Sequence, residues 1–243
     1  MNAVERNRYT DAWRRIGASL RRPRGVLAVS AHWYVDRTAV TVSSRPATIH
    51  DFHGFPRALF EFAYPAPGSP ELANHVRDLL APMHVDADPN RGLDHGTWSV
   101  LAHVFPAADV PVVQLSLDAT KPRRWHHELG RRLAPLREDG ILIIGSGNVV
   151  HNLGRIRWSA DAVPHEWAVR YNDKVRSLLQ SGEHAELLDE IANDEDARLS
   201  VPSPDHFLPL MYVIAQRLGD DVITFPIDGI ELGSIGMLTV RVG

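Results

Sequence analysis

The feature that most constrains the fold is a short apolar run followed by a glycine turn and polar side chains. Residues 141–144, Ile-Leu-Ile-Ile, are typical of a strand buried on both faces, as found inside parallel sheets. Gly145 and Gly147 then permit a sharp turn, and Asn148 and His151 follow it. Ligands bind at the carboxyl ends of strands in open α/β sheets. We therefore expect a functional site here, although an ordinary strand-to-helix turn with one exposed histidine has the same pattern.

The rest of the chain alternates between apolar runs of strand length and amphipathic stretches of helix length. Further strands are predicted at residues 25–32, 39–43 (a short edge strand), 85–87, 110–117, 222–225 and 234–242. Helices are predicted at residues 7–20, 69–81, 93–104, 122–138, 166–181 and 184–193, and another is opened by residues 203–206. Caps are predicted at Thr10 or Asp11, at Ser69 before Pro70, and at Ser203 before Pro204. No repeat or linker divides the chain. We predict an α/β fold with one domain over residues 1–243, in which helices flank a mostly parallel central sheet.

Composition excludes several classes of function. A net charge of -4 over 243 residues gives no basic surface for nucleic acid. The absence of cysteine excludes disulfides, thiolate metal sites and cysteine nucleophiles. Because no apolar run reaches the roughly 18 residues that span a bilayer, and no signal peptide is recognisable, we predict a cytoplasmic protein without a membrane partner.

Three of the thirteen histidines occupy comparable positions in the predicted elements. His32 ends a strand, His151 follows one, and His206 lies in the first turn of a predicted helix. Imidazole is a common ligand of zinc and non-haem iron and also transfers protons near neutral pH. A metal site and three ordinary core histidines both remain open at this point. His95 is a fourth candidate. Its ordinary role would be to cap a helix, but Asp94 could cap that helix instead.

The remaining histidines and the common catalytic motifs give weaker evidence for a functional site. His53, His126 and His127 have no evident partner and are treated as surface residues. The chain contains neither G-x-S-x-G nor H-E-x-x-H, and the G-S-G-N turn at Gly145 is only a weak phosphate-binding signal.

Six segments of the chain together resemble one known family. They are S-A-H-W-Y (30–34), T-I-H-D-F-H-G-F-P (48–56), Y-P-A-P-G-S-P (64–70), L-D-H-G-T-W (93–98), S-G-N-V-V-H-N-L (146–153) and P-D-H-F-L-P-L (204–210). In collinear order over nearly the whole chain, they resemble the class III extradiol ring-cleavage dioxygenases, in the branch that includes DOPA 4,5-dioxygenases. The set is far more specific than any one motif.

The resemblance implies a single-domain α/β fold, a mononuclear ferrous iron that zinc often replaces in purified members, and a catechol substrate. His32 and His206 fall on metal-ligand positions of the family. His151 falls on a position that is either a further metal neighbour or the catalytic base. His95 falls on a position near the substrate and oxygen.

One departure from the family concerns the start of the chain. The family's first metal histidine lies in a G-H-G-S-P segment just before the pair that here is Met1-Asn2, and this sequence begins after that segment. We expect its first strand and one ligand to be absent. We also expect this form to bind Fe(II) weakly until upstream residues are restored.

The function predicted from these residues is the opening of a catechol ring with Fe(II) and O2. His151 would take the second catechol proton, and His95 would hydrogen-bond the oxygen species. The aromatic loop at residues 48–68, with Phe55, would line the ring pocket. Substrate contacts are assigned to His50, Phe52, Tyr64 and Asn148.

Two alternatives use the same residues. A zinc hydrolase would activate water at the same histidines, and activity with Fe(II) but not Zn(II) separates it from the dioxygenase. A non-catalytic binding protein is the other alternative. The retention of His95 and His151 opposes it, and the missing first ligand favours it.

Overall fold

The computed structural model describes residues 3–159, 161–189 and 194–243. This part of the chain divides into two compact units, Met1–Thr120 with Arg132–Ser146, and Lys121–Arg131 with Gly147–Gly243. The single catalytic domain expected over residues 1–243 stays a prediction, and Met1 and Asn2 lie outside the described residues.

The first unit is built on a five-stranded sheet. Its strands are β1 (Gly25–Val35), β2 (Ala39–Thr41), β3 (Asp86–Asp88), β4 (Val112–Asp118) and β5 (Ile141–Ser146), in the order β3-β2-β4-β1-β5. All pairs are parallel except β2 with β4. Every residue of β4 is buried because the strand lies in the middle of the sheet. The predicted α/β fold with a mostly parallel central sheet is confirmed.

Two strand predictions were wrong in detail. The strand at residue 141 was predicted to be buried on both faces, but all six residues of β5 are only half-buried. Within the sheet of the described residues β5 pairs with β1 alone, so it is an edge strand. Conversely, β2 was predicted at an edge and lies inside the sheet, because β3 pairs along its outer side.

Helices α1 (Arg8–Ser19), α2 (Arg57–Phe60), α3 (Pro70–Leu80), α4 (His95–Val104) and α6 (Pro135–Glu138) complete the first unit. Ser69 caps α3 as predicted, by accepting a hydrogen bond from the Leu72 amide at 3.1 Å. The predicted cap of α1 was wrong: Asn7 is the cap, and Thr10 closes a capping box with it from inside the helix.

The second unit contains α5 (Arg123–Arg132) except its last residue. It also contains α7 (Glu166–Ser181), α8 (Ala185–Leu188), α9 (Glu195–Ser200) and α10 (Leu208–Ile214). A turn of 3-10 helix spans Leu153–Arg155. The small strands β6 (Ile223–Ile227), β7 (Ile230–Glu231), β8 (Ile235–Gly236) and β9 (Thr239–Val242) pair antiparallel, β6 with β9 and β7 with β8.

Three helix predictions need correction. Residues 122–138 form two helices, α5 and α6, rather than one. The helix predicted from residue 203 begins only at Leu208, so Ser203 does not cap it and His206 precedes the helix. Of the helix predicted at residues 184–193, Ala185–Leu188 is helical and residues 190–193 lie outside the described part.

The treatment of His126 as a surface residue was wrong. His126 is fully buried, and its Nδ1 lies 2.9 Å from the Tyr212 hydroxyl. It belongs to the inward face of the amphipathic helix α5, together with Leu129 and Gly130. Adjacent residues of a helix point about 100° apart, so the His126-His127 pair does not share one environment.

Candidate active site

His32 lies near the carboxyl end of β1, where the strand becomes irregular. The register of β1 with β4 shifts between Val29 and Tyr34, and the pairing of β1 with β5 ends at Ser30. Gly96, in the first turn of α4, packs against this point. A Cβ on Gly96 would lie 2.6 Å from the Ser30 hydroxyl and 2.8 Å from the His32 ring, so only glycine allows this approach.

His95 is the first residue of α4 and is held in place by a buried polar network around Asp94. The Asp94 carboxylate caps the helix by accepting from the Thr97 amide at 3.0 Å, and it accepts from Gln114 Nε2 at 2.7 Å. Asp94 is fully buried. Arg91 donates to Asp94 at 3.3 Å and to the carbonyl of His32 at 3.1 Å. Arg91 therefore ties the strand that bears His32 to the cap of the helix that bears His95.

Asp51 joins the two histidines from the loop at residues 48–68. Its Oδ1 accepts from the His95 ring Nδ1 at 2.8 Å and from the His95 amide at 3.1 Å, and its Oδ2 lies 3.8 Å from Nδ1 of His32. Burial alone would raise the pKa of Asp51, but these hydrogen bonds outweigh it and lower the pKa to about 2. Asp51 is therefore a carboxylate that can only accept. Nδ1 of His95 must carry a proton, so that in the neutral imidazole Nε2 carries the lone pair.

These three residues form a possible metal site. One ligand atom from each of His32, Asp51 and His95 lies within 4.8 Å of the others, the one such group found among the described residues. Ligand atoms at about 2.0–2.2 Å from a shared ion lie roughly 3–4 Å apart, so small side-chain rotations suffice. Two histidines and one carboxylate suit a divalent transition metal and leave coordination positions open.

An aromatic cluster borders this group. Phe52 is nearly buried and meets the His95 ring edge to face, with centroids 5.4 Å apart. Phe52 also contacts Phe55 at 5.4 Å and Phe60 at 4.9 Å. Phe55 is 42% exposed and Phe60 is 40% exposed, which is unusual for large apolar side chains. This loop therefore presents aromatic surface beside the histidines, and its role in lining a ring pocket stays a prediction.

The other residues assigned to substrate have partners within the protein. Nε2 of His50 lies 2.8 Å from the Phe62 carbonyl and must donate to it. Tyr64 is buried, its hydroxyl donates to the Phe105 carbonyl at 2.9 Å, and burial raises its pKa. In the second unit, the Asn148 side chain donates to the Gly236 carbonyl at 2.6 Å. Their substrate-binding roles stay predictions.

His151 and His206 come together within the second unit. Their rings stack with centroids 3.5 Å apart and planes 5° apart. The His206 ring Nδ1–H donates a hydrogen bond to Asp205. Burial would raise the pKa of Asp205, but this bond and a bond from Ser203 lower it to about 2. Nδ1 of His206 therefore carries a proton, and in the neutral imidazole Nε2 would carry the lone pair that a metal requires.

Gly147 explains why the glycine turn seen in the sequence is needed. A Cβ there would lie 2.2 Å from the His206 carbonyl oxygen, which accepts a hydrogen bond from the Asn148 amide at 2.8 Å. The turn after β5 thus packs directly on the segment that carries His206.

The structure therefore groups the predicted histidines as two pairs, each within its own unit. Asp51 is the residue that the sequence-based assignment missed. The available signal was a carboxylate between two predicted substrate residues, His50 and Phe52. Its contact with His95 spans 44 positions, which no local pattern reveals.

Comparison with known proteins defines the family. A family model described as the catalytic LigB subunit of aromatic ring-opening dioxygenase matches residues 4–228. The chain belongs to this family. It is 47% identical over 246 residues to the 4,5-DOPA dioxygenase extradiol of Escherichia coli K12, covering 100% of this chain and 91% of that protein. It is 40% identical over 206 residues to the enzyme of the same name from Beta vulgaris, covering 84% and 76%.

A solved structure gives the same result for the fold. The crystal structure of an uncharacterized protein from E. coli K12 superposes with a TM-score of 0.87 at 43% identity, covering 99% of this chain and 94% of that one. The resemblance to extradiol ring-cleavage dioxygenases is confirmed, and with it the class of enzyme, an oxidoreductase. Nothing in these comparisons favours a hydrolase or a non-catalytic binding protein.

Among the described residues, no helix is both long and apolar enough to cross a membrane. The cytoplasmic location and the absence of a nucleic-acid partner stay predictions from the sequence.

Proposed function

We propose that this chain opens the ring of a DOPA-like catechol with O2 at a mononuclear ferrous iron. The observation that carries the proposal is the donor set of His32, Asp51 and His95 in a LigB-family chain. Two histidines and one carboxylate with open positions are the ligands typical of non-haem Fe(II) oxygenases. The relatives named 4,5-DOPA dioxygenase extradiol support the choice of substrate.

Bound ferrous iron supplies the redox chemistry and the open positions that bring catechol and O2 together. The protein residues supply orientation and proton transfer. Asp51 fixes the tautomer of His95 and directs its Nε2 lone pair. Phe52 and its exposed aromatic neighbours exclude water from the face of the substrate ring.

From the resemblance we propose two further roles. His206, with its tautomer fixed by Asp205, is a metal ligand. His151 either accompanies the metal or takes the proton of the second catechol hydroxyl, because imidazole exchanges protons efficiently near neutral pH.

Metal content tests the ligands. Purified protein is loaded anaerobically with Fe(II), and bound iron is measured for His32→Ala, Asp51→Asn and His206→Ala. We expect each variant to lose most of its iron. His53→Ala, in the same exposed loop as Asp51 but outside the group of possible ligands, should bind iron as the wild type does. Equal iron in all four variants would remove the proposed site.

Turnover at matched iron content tests the proton-transfer roles. We expect His151→Gln to lower ring opening by about 10²- to 10⁴-fold. His95→Gln separates two roles: loss of iron identifies a ligand, and loss of turnover with iron retained identifies a role in hydrogen bonding or proton transfer. Wild-type ring opening by both variants would make both residues structural.

A further inference from the structure

Residues 91–94 are bonded to each of the three elements that carry the candidate metal group. These elements are the strand β1 with His32, the loop at residues 48–68 with Asp51, and the helix α4 with His95. The segment at residues 91–94 contributes none of the three possible ligands itself. A segment in this position can hold the ligands at a fixed spacing without binding the metal.

The loop that bears Asp51 is joined to this segment by backbone hydrogen bonds. The Leu93 amide donates to the Ala47 carbonyl at 2.8 Å, and the Ile49 amide donates to the Leu93 carbonyl at 2.8 Å. Gly92 allows this approach, because a Cβ there would lie 2.1 Å from the Ala47 carbonyl oxygen. Asp51 comes only two residues after Ile49, so these bonds fix the path of the loop close to the carboxylate.

Arg91 joins the other two elements through a single side chain. Its Nη2 donates to the His32 carbonyl at 3.1 Å and to the Asp94 carboxylate at 3.3 Å. The guanidinium carbon also lies 5.4 Å from the centroid of the Trp33 ring, within the range of a cation–π contact. At the other end of the residue, the Arg91 amide donates to the Asp88 carboxylate at 2.8 Å. Because one nitrogen makes both side-chain bonds, the His32 carbonyl and the helix cap cannot move apart without breaking one of them.

The start of α4 has an anchor that does not involve Arg91. The Asp94 amide donates to Gln114 Oε1 at 3.0 Å, and Gln114 Nε2 donates to the Asp94 carboxylate at 2.7 Å. Gln114 lies in β4, in the middle of the sheet. The His32 carbonyl, by contrast, lies where the register of β1 with β4 shifts and where pairing with β5 has already ended. Loss of the Arg91 side chain should therefore leave His95 in place and loosen the backbone at His32.

We propose that Arg91 is a positioning residue of the candidate metal group: it sets the spacing between His32 and His95, and with it the affinity for a divalent metal. The assignment rests on the metal site of the proposed function but not on the ring opening itself. Residues that orient metal ligands from behind typically change metal affinity by about 10- to 100-fold when they are substituted.

The first test measures metal affinity without turnover. Metal-free protein is titrated with Co(II), whose visible absorption reports the geometry of its ligands. We expect Arg91→Gln to weaken Co(II) binding by about 10- to 100-fold and to change the absorption bands. Arg91→Lys keeps a donor and the charge opposite Asp94, so it should recover part of the affinity.

Arg77→Gln is the matched control. The Arg77 side chain likewise donates to a backbone carbonyl, that of Val85 at 3.2 Å, and to a side chain, that of Asn74 at 3.4 Å. Neither partner belongs to an element that carries a possible ligand. We therefore expect Arg77→Gln to bind Co(II) as the wild type does.

A double-mutant cycle tests whether Arg91 acts through His32. In a His32→Ala background the ring that Arg91 positions is gone, so Arg91→Gln should cause no further loss of Co(II) affinity. A residue that only stabilises the fold would lower the affinity by the same factor in both backgrounds. That result would overturn the proposal.

The remaining outcomes separate this proposal from the ring-opening function. If Arg91→Gln does not fold, as judged by its thermal melt, Arg91→Lys carries the same test. Wild-type Co(II) affinity in the folded variants would refute the positioning role even if catechols are opened. If no catechol is opened but the loss of affinity depends on His32, the ring-opening proposal fails and the positioning role stands. A wild-type protein that binds no Co(II) would overturn the metal site and the positioning role together.

Discussion

Substitution of Asp94 by alanine should destabilise the first unit far more than the loss of an ordinary helix cap. Asp94 is fully buried and caps α4, but it is also the counter-charge of Arg91 and the partner of Gln114. Removing the carboxylate therefore leaves the Arg91 guanidinium without its counter-charge and the Gln114 side-chain amide without its acceptor. Ser69→Ala is the matched control, because Ser69 caps α3 through one bond to Leu72 and has no charge.

The two contributions can be estimated separately. Loss of a capping side chain costs about 1 kcal/mol. Breaking a fully buried ion pair by removing one partner costs about 3–5 kcal/mol. The Arg91 side chain retains 22% of its exposure, so water reaches part of the guanidinium and the upper value does not apply. We expect Asp94→Ala to lower the free energy of unfolding by about 3 kcal/mol and Ser69→Ala by about 1 kcal/mol.

The assay is urea unfolding of the metal-free protein, followed by tryptophan fluorescence. Trp98, one turn into α4, is fully buried and reports on this region. Asp94→Asn retains a capping side chain but removes the charge, and we expect an intermediate loss of about 2 kcal/mol. If Asp94→Ala and Ser69→Ala unfold with equal free energies, the network does not stabilise the start of α4 in the way proposed.

Three further predictions concern single residues. Gly147→Ala should lower the melting temperature markedly, because its Cβ would lie 2.2 Å from a backbone carbonyl oxygen, whereas Gly154→Ala meets nothing closer than 3.4 Å and should melt normally. His126→Ala should cost more than about 2 kcal/mol by urea unfolding, and exposed His53→Ala less than about 0.5 kcal/mol. Burial, reinforced by a nearby arginine, lowers the pKa of His127 below its usual 6.5, so the unfolded chain binds its proton more readily. The contribution of His127 to the free energy of unfolding is therefore complete above pH 6.5 and falls as the pH drops below that value. His127→Gln should reduce this pH dependence, measured by urea unfolding between pH 5 and 7.5.

The parts of the fold that follow from local pattern were predictable. The β1 strand has a continuous apolar run that ends near His32, and α7 occupies the predicted residues, Glu166–Ser181. Ser69 before Pro70 identified the start of α3 because both residues act locally. The same pattern at Ser203 and Pro204 was misleading. Asp205 there binds the His206 ring, and the helix starts later.

Features that depend on distant contacts were not predictable from one sequence. The edge position of β5 is decided by which strand pairs beside it and not by its own apolar residues. The candidate metal group needs Asp51, which lies in a loop without periodicity and reaches His95 only in the folded chain.

The most direct test of the ring-opening function is the source of the oxygen atoms in the product. Metal-free protein is loaded with Fe(II) or with Zn(II) and incubated with DOPA under ¹⁸O2 in ordinary water, and the product is analysed by mass spectrometry. A dioxygenase inserts both atoms of O2, so we predict a ring-opened product with two ¹⁸O atoms from the Fe(II) form, after allowance for exchange with water, and none from the Zn(II) form. A product that contains oxygen from water alone, or equal turnover with both metals, would contradict the proposed function.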